Sequence, residues 1–192
     1  NAIISSDIGN NCAIGNAYPS FDEGRKYLAP GLFGPCGYGL PSIVGAKIGQ
    51  PDVPVVGFAG DGAFGIAVNE LTAIGRDEWP AVTQIVFRNY QWGAEKRNST
   101  LWFDDNFVGT ELDTKVSYAG IAQACGLQGV QVKTMEELTA VLNQAIKDQM
   151  ENNKTTLIEV ILNQELGEPF RRDAMKKPVQ VAGVAAADMA AE

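Results

Sequence analysis

The chain has 192 residues, a formal net charge of −8 and no histidine. Its length suits one domain with a buried core. The lack of histidine excludes Ser-His-Asp and Cys-His catalytic systems and His-ligated zinc. The acidic balance argues against a nucleic-acid-binding surface, and no apolar run is long enough to predict a membrane span. The cysteines Cys12, Cys36 and Cys125 form no CxxC pair, so we expect reduced thiols in a cytoplasmic protein.

Short apolar runs alternate with helical patterns along the chain. This alternation predicts an α/β fold, a parallel sheet with helices on both faces, because strands buried on both sides read as continuous apolar runs. The clearest helix begins with a capping box formed by Thr134 and Glu137. In chain order, the predicted strands are Ala2–Ser6, Val53–Ala59, Val82–Arg88, Gly129–Val132 and Thr156–Leu162. The predicted helices are Leu40–Ile48, Ile66–Arg76, Tyr118–Cys125 and Met135–Met150.

Two segments break the alternation. The polar and aromatic segment Trp92–Leu112 is predicted to be a long loop, and such loops are often functional. Periodicity is lost from Gln164 onward, which predicts a domain over residues 1–165 and a partly disordered tail over 166–192. The chain begins at Asn1, directly before a strand, without an initiator methionine or a targeting peptide. We therefore expect a fragment of a longer polypeptide.

The strongest local motif is Gly60-Asp61-Gly62, which follows the predicted strand Val53–Ala59. Ligands bind at the carboxyl edge of open parallel sheets, where glycines admit a phosphate and a helix start offers N–H donors. The Asp61 carboxylate would repel a phosphate unless a divalent cation lay between them. Taken alone, the motif is explained equally well by an aspartate that caps a helix.

The next predicted strand ends just before Asn89, which follows Asp61 by 28 positions (89 − 61). One helix and one strand fit this interval, so both residues are expected at neighbouring strand ends. Asp61, the Asn89 side-chain oxygen and a main-chain carbonyl of the following turn could provide three oxygen ligands. Two diphosphate oxygens and a water would complete the octahedron that Mg²⁺ prefers.

Together, Gly60-Asp61-Gly62 and Asn89 resemble the signature of thiamine-diphosphate enzymes, which opens with Gly-Asp-Gly and closes with Asn-Asn. Arg88 stands where the first asparagine of that pair is usual. The metal ligand is the second asparagine, so the resemblance still extends to Asn89. It implies a thiamine-diphosphate-binding fold of the diphosphate-binding (PP) type. It also implies that Mg²⁺ is held by Asp61, Asn89 and the main-chain oxygen of Gln91.

Two further segments resemble the acetolactate synthase group of these enzymes. In the segment 31–41, Cys36 takes the place of a methionine that supports the bent cofactor, although a glycine-rich helix entry is the alternative. In the segment 7–11, Asn10 and Asn11 would replace a Gln-His pair that meets the diphosphate, although an asparagine-rich turn is the alternative. The cofactor-binding residues that these resemblances imply are Gly9, Asn10, Asn11, Gly34, Cys36, Gly60, Asp61, Gly62, Ala63, Asn89, Gln91, Trp92 and Gly93.

At a finer level, the segments 10–16, 87–96 and 163–172 resemble the sulfoacetaldehyde acetyltransferase family, and the similarity covers nearly the whole chain. This would be the C-terminal domain of a three-domain, homo-oligomeric enzyme whose N-terminal and central domains are absent here. The resemblance implies conversion of sulfoacetaldehyde and phosphate to acetyl phosphate and sulfite. The general-acid glutamate would come from the pyrimidine-binding domain of a partner subunit, so the isolated chain is predicted to be inactive.

Both substrates are anions, and arginine is the side chain best shaped to bind them. The candidates are Arg88, Lys96, Arg97, Arg171 and Arg172, each of which could instead be a solvated surface charge. Three alternatives to the acetyltransferase remain. They are another decarboxylase, carboligase or oxidase of the acetolactate synthase group, a non-catalytic nucleotide-binding module, and a structural domain. The chain lacks G-x-G-x-x-G after its first strand and lacks a P-loop, which weakens the nucleotide-binding alternative.

Overall fold

The computed structural model of the chain describes residues 1–164. In this range six parallel strands form one sheet in the order β2-β1-β3-β4-β6-β5. The five predicted strands are confirmed. The sequence does not predict the edge strand β2, because its two residues are too few to show a pattern. The strands are β1 Ile3–Ser6, β2 Tyr27–Leu28, β3 Val55–Gly60, β4 Thr83–Arg88, β5 Gln128–Val132 and β6 Thr156–Ile161.

Seven α-helices and one 3₁₀ turn, Val68–Glu70, connect these strands in the described range. No helix among residues 1–164 combines the length and the apolar character needed to cross a bilayer. The helices are α1 Asn10–Ala17, α2 Gly39–Gly49, α3 Asp61–Ala67, α4 Leu71–Ile74, α5 Gly93–Trp102, α6 Tyr118–Ala124 and α7 Met135–Asn152.

The sequence-based predictions fail at the helices, and α1 is not predicted at all. The helix predicted over Ile66–Arg76 instead begins at Asp61, and the 3₁₀ turn divides it into α3 and α4. The long loop predicted over Trp92–Leu112 is wrong for its first half, which is helix α5. Helix α5 buries only Gly93 and Arg97, so it lacks the apolar stripe that marks a helix in sequence. The predicted tail, residues 166–192, lies outside the described residues.

The sheet carries helices on both faces, as predicted. Along β3, Val55 and Ala59 join the core cluster that includes residues of α2, α3, α4 and α6. Val56 and Phe58, which alternate with them, pack against the cluster under α7. This alternation follows from the two-residue period of a strand. The strand order reverses between β1 and β3, and a crevice at such a switch point is where ligands of open α/β sheets bind.

The capping box predicted for α7 is present and gives a test of local stability. The Thr134 hydroxyl accepts from the Glu137 N–H at 3.2 Å, and the Glu137 carboxylate accepts from the Thr134 N–H at 3.2 Å. The substitution Thr134→Ala is expected to lower the free energy of unfolding by about 1 kcal/mol. Urea unfolding followed by circular dichroism measures it. Thr139→Ala, at an exposed position of the same helix, is the control, and equal losses in both variants would contradict the capping role.

Candidate cofactor-binding site

A pocket of about 1180 Å³ lies at the carboxyl edge of the sheet, beside the switch point. Every cofactor-binding residue predicted from the sequence lines it, with the exception of Gly34. Its walls include apolar side chains that the motifs do not identify, among them Phe58, Phe87 and Leu138. A mostly apolar pocket with a few polar groups at one end is the usual form of a cofactor site. The structure therefore brings together residues from β3, β4 and the segments that follow β1, β3 and β4.

The Asn89 side-chain amide lies beside two oxygens in this pocket. One of its terminal atoms is 3.2 Å from Asp61 Oδ1 and 3.1 Å from the Gln91 main-chain oxygen. In the metal-free site this atom is the amide nitrogen, which donates to both oxygens. When a hard cation is present, a rotation of the amide by 180° would present its oxygen, and three oxygens would then face the cation. No group of three His, Cys, Asp or Glu side chains among residues 1–164 could hold a metal, so this candidate site depends on amide and main-chain oxygens beside one carboxylate.

The hydrogen bonds of Asp61 determine which of its lone pairs faces the other two oxygens. Asp61 Oδ2 accepts from Arg88 Nη1 at 3.0 Å and from the Tyr90 N–H at 2.6 Å. Asp61 Oδ1 accepts from the Gly62 N–H at 3.0 Å. A carboxylate has about four acceptor positions, and three of them are filled. The fourth, on Oδ1, is left toward Asn89 and Gln91.

Burial raises the pKa of Asp61 above its ordinary value, while the Tyr90 N–H, Arg88 and the Gly62 N–H act in the opposite direction. The Asp61 carboxylate is 1% exposed, and the three donors replace only part of the hydration that an anion has in water. A divalent cation would favour the ionised form directly. Cation binding is therefore expected to weaken as the pH falls through the raised pKa.

Arg88 is one of the predicted substrate-binding arginines, and the structure contradicts that prediction. Its side chain is 1% exposed and lies inside the fold, between Asp61 and Glu159, with Nε 3.6 Å from Glu159 Oε1. The guanidinium stacks on the rings of Tyr90 at 4.4 Å and Tyr118 at 5.1 Å. Two carboxylates and two aromatic rings surround its charge, so it cannot reach an anion in the pocket.

The turn that carries Asn89 and Gln91 is stabilised by hydrogen bonds to segments that lie later in the chain. The Trp92 N–H donates to the Thr110 carbonyl at 2.7 Å, and an isolated antiparallel bridge pairs Gln91 with Glu111. Gln91 Nε2 also donates to the main-chain oxygen of Gln164 at 2.9 Å. These bonds fix the position of the Gln91 main-chain oxygen, which stays a predicted ligand.

The other substrate-binding candidates differ in position. Lys96 is hydrogen-bonded to Glu111 and donates to Gln91 Oε1 at 3.1 Å, so its charge is already paired. Arg97 is buried in the pocket wall, and burial lowers its pKa. The last two candidates, Arg171 and Arg172, lie outside the described residues.

Asp7, which directly follows β1, has a structural role that the motifs do not reveal. Its carboxylate accepts from the Gly37 N–H at 3.0 Å and from the Gly39 N–H at 2.8 Å, and so fixes the loop that carries Cys36 into the pocket. Gly34, in the same loop, has a φ of +58° and lies against Ile8 rather than in the pocket. In the sequence, this structural role is indicated by an aspartate that directly follows an apolar strand.

The two asparagines after β1 are not equivalent. Asn11 is buried, and its Nδ2 donates to the Asp7 carbonyl at 2.8 Å and to Ser6 Oγ at 3.1 Å. Both of its amide protons are therefore used within the turn. A Cβ added to Gly93 would lie 3.3 Å from Asn10 Nδ2, so this amide faces the start of α5 across the pocket. Asn10 is thus the better placed of the two neutral donors.

The tight packing of glycine and tryptophan closes one side of the pocket. A Cβ on Gly62 would come within 2.7 Å of the Trp92 ring, so a side chain here would displace the ring. Both residues line the pocket. The glycine that follows Asp61 is therefore required by a close side-chain approach as well as by access to a phosphate.

Residues 7–160 match the family described as thiamine pyrophosphate enzyme, C-terminal TPP binding domain. The chain belongs to this family, and thiamine diphosphate is the cofactor that its fold and site serve. The match covers the sheet edge and the pocket described above.

Among characterised proteins, the chain is similar to sulfoacetaldehyde acetyltransferases. It is 83% identical over 188 residues to the enzyme of Roseovarius nubinhibens, with 98% of this chain and 31% of that protein covered. It is 79% identical over 188 residues to that of Rhodobacter capsulatus, with 98% and 32% covered. The family resemblance seen in the sequence is confirmed. The chain spans about a third of the length of these curated relatives.

A solved structure supports the fold. The thiamine diphosphate-dependent 4-hydroxybenzoylformate decarboxylase of Rhodococcus jostii RHA1 superposes with a TM-score of 0.72 and 24% sequence identity. The match covers 86% of this chain and 30% of that one. At this identity the likeness shows the α/β fold and does not bear on the substrate.

Proposed function

We propose that this domain holds the diphosphate and Mg²⁺ of thiamine diphosphate in an acetyltransferase that converts sulfoacetaldehyde and phosphate to acetyl phosphate and sulfite. The observation that carries the proposal is the placement of Asp61 Oδ1, the Asn89 amide and the Gln91 main-chain oxygen side by side in the pocket. The 83% identity to the Roseovarius nubinhibens enzyme supports the choice of reaction.

The residues present fit the proposed cofactor. A 180° rotation of the Asn89 amide would turn its oxygen toward Asp61 Oδ1 and the Gln91 carbonyl, an arrangement that a cation between them would stabilise. Asp61, Asn89 and the Gln91 carbonyl would hold Mg²⁺, and Asn10 would donate to the diphosphate. When bound, thiamine diphosphate supplies the nucleophilic carbon and the electron sink of the reaction. The protein orients it through the metal and excludes water with the apolar wall that includes Phe58 and Phe87.

Other parts of the proposal concern the whole enzyme. We propose that the active protein is a cytoplasmic homo-oligomer in which the pyrimidine-binding domain of a partner subunit contributes the general-acid glutamate. The catalytic site is then completed only between chains. Arg97 is a candidate for binding a substrate anion because it lines the pocket. Arg171 and Arg172 keep that role as a sequence-based proposal.

Turnover of the full-length protein tests the reaction. With sulfoacetaldehyde, phosphate, thiamine diphosphate and Mg²⁺, it is expected to release sulfite and acetyl phosphate in equal amounts, whereas pyruvate should give no acetolactate. The 192-residue chain alone is expected to give neither product, because it lacks the partner's glutamate. Product formation from pyruvate but not from sulfoacetaldehyde would move the assignment to another enzyme of the acetolactate synthase group.

A further inference from the structure

We propose that Arg88 is a positioning residue that limits Asp61 to a single metal-facing oxygen and thereby makes the site prefer Mg²⁺ to larger cations such as Ca²⁺. The inference rests on the proposed function, since it concerns the metal of that site. Its starting observation is that Arg88 Nη1 and the Tyr90 N–H together fill the acceptor positions of Asp61 Oδ2. Only Oδ1 has a position left for a cation.

The two cations differ in how they use carboxylates. Mg²⁺ needs a nearly ideal octahedron at about 2.0–2.1 Å, whereas Ca²⁺ takes about 6–8 oxygens at about 2.3–2.6 Å and often binds both oxygens of one carboxylate. Binding through both oxygens of Asp61 would require Oδ2 to give up the hydrogen bond from Arg88. We call the hydrogen bond from Arg88 to Asp61 Oδ2 the clamp. The clamp disfavours the two-oxygen coordination by which Ca²⁺ often binds a carboxylate. It leaves the one-oxygen coordination of Mg²⁺ unchanged.

The clamp is effective only if Arg88 cannot move away, and its surroundings prevent such movement. Nη2 donates to the Val116 carbonyl at 3.1 Å and also to the Asp113 carbonyl. Nε faces Glu159, which is 0% exposed. A planar guanidinium with several donors in fixed directions suits this task, and an asparagine at the same position could not reach all of these groups.

Glu159 is held in turn by the segment that leads into α6. Its Oε2 accepts from Ser117 Oγ at 3.0 Å, from the Ala119 N–H at 3.1 Å and from Gln131 Nε2 at 2.9 Å. Arg88 thus links the metal-facing carboxylate on one strand end to β6 and to the loop before α6. The side chain that departs from the usual family motif is therefore the one that fixes the carboxylate.

The double variant Arg88→Met, Glu159→Gln removes the clamp without changing the net charge of the buried group. In the wild type the charges of Asp61, Glu159 and Arg88 sum to −1. In the double variant only Asp61 is charged, and the sum is again −1. Mg²⁺ and Ca²⁺ titrations at saturating thiamine diphosphate, followed by tryptophan fluorescence of the full-length protein, give the two dissociation constants. The ratio of the Ca²⁺ constant to the Mg²⁺ constant is expected to fall about tenfold, the effect of one charge-assisted hydrogen bond.

Two reference variants separate the clamp from general effects. Glu159→Gln alone keeps the hydrogen bonds from Arg88 to Asp61, Asp113 and Val116, so it should keep the wild-type ratio. Arg76→Met, Glu78→Gln removes an exposed ion pair of 3.3 Å and should also keep it. If circular dichroism shows that the main variant is unfolded, Arg88→Lys replaces it, because lysine keeps the charge but cannot serve Asp61 and both carbonyls together; its ratio should fall as well.

An unchanged ratio in a folded Arg88 variant overturns this inference and leaves the proposed function standing. A fall of the same size in the Glu159→Gln variant overturns it too, because the effect would then come from the buried network in general. If the wild-type protein shows no metal-dependent binding of thiamine diphosphate, the proposed function fails first, and the inference fails with it.

Discussion

Replacing Asp61 by asparagine is expected to weaken metal-dependent binding of thiamine diphosphate by about 100-fold or more, or about 2.8 kcal/mol. Asp61 is the one anionic side chain among the three groups that face one another, and a hard divalent cation loses its main charge partner with it. Tryptophan fluorescence titrations of the full-length protein with thiamine diphosphate, at fixed Mg²⁺, measure the change. Asp77→Asn, at an exposed position, is the matched control.

The same substitution should not destabilise the metal-free protein at neutral pH. Burial raises the pKa of Asp61 above 3.8, so the folded state binds its proton more tightly than the unfolded state does. Stability from this group is present at low pH and is lost as the pH rises through the raised pKa. Asparagine removes that loss, and Glu159 still balances the charge of Arg88. Thermal unfolding without Mg²⁺ should show a Tm equal to or above that of wild type at pH 7, and a clear fall in Tm would attribute the binding defect to misfolding.

The sheet and its functional edge are predictable because they depend on simple patterns. Apolar runs indicate the five longer strands, and the parallel arrangement places consecutive strand ends side by side. That is why Asp61 and Asn89, separated by one helix and one strand, are expected to meet. The side-chain amide of Asn89 does lie 3.2 Å from Asp61 Oδ1. The motif spacing carries this information.

The remaining features depend on contacts that sequence does not encode locally. Nothing near Arg88 in the sequence indicates whether its side chain points into the pocket or into the core. It lies in the core beside the buried Glu159, which is on a strand 71 positions later in the chain (159 − 88). Helix α5 reads as a loop in the sequence because its few buried positions form no stripe. The position of Gln91 is likewise stabilised by its antiparallel bridge with Glu111, and no sequence periodicity connects these two residues.

Polar networks of this kind constrain the site more than its motif does. Three hydrogen bonds fix Asp61, and each donor comes from a different place: the start of α3, the end of β4 and the turn after it. A metal ligand is oriented by such outer contacts, and their loss typically costs about 10–100-fold in metal affinity. The motif predicts the ligand, and the network determines which of its oxygens could bind a metal.

The substitution Asn89→Asp tests whether a cation binds between this side chain and Asp61. A second carboxylate would face Asp61 Oδ1 across about the present 3.2 Å. Without metal, two carboxylates that share a site repel each other, and one of them takes up a proton at a raised pKa. The metal-free protein is expected to lose about 2 kcal/mol of stability at pH 8, because position 89 is half-buried and water screens the facing carboxylates only in part.

With Mg²⁺ and thiamine diphosphate present, the same variant should regain that loss and more, since the cation then binds two charged ligands in place of one. The increase in Tm caused by Mg²⁺ should therefore be larger in Asn89→Asp than in wild type. Asn98→Asp, at an exposed position of α5, should respond as wild type does. If instead no cation binds between these side chains, the variant is destabilised without metal and gains nothing from Mg²⁺. Differential scanning calorimetry with and without the metal separates these outcomes, because only a side chain in contact with the cation makes the substitution both harmful without metal and beneficial with it.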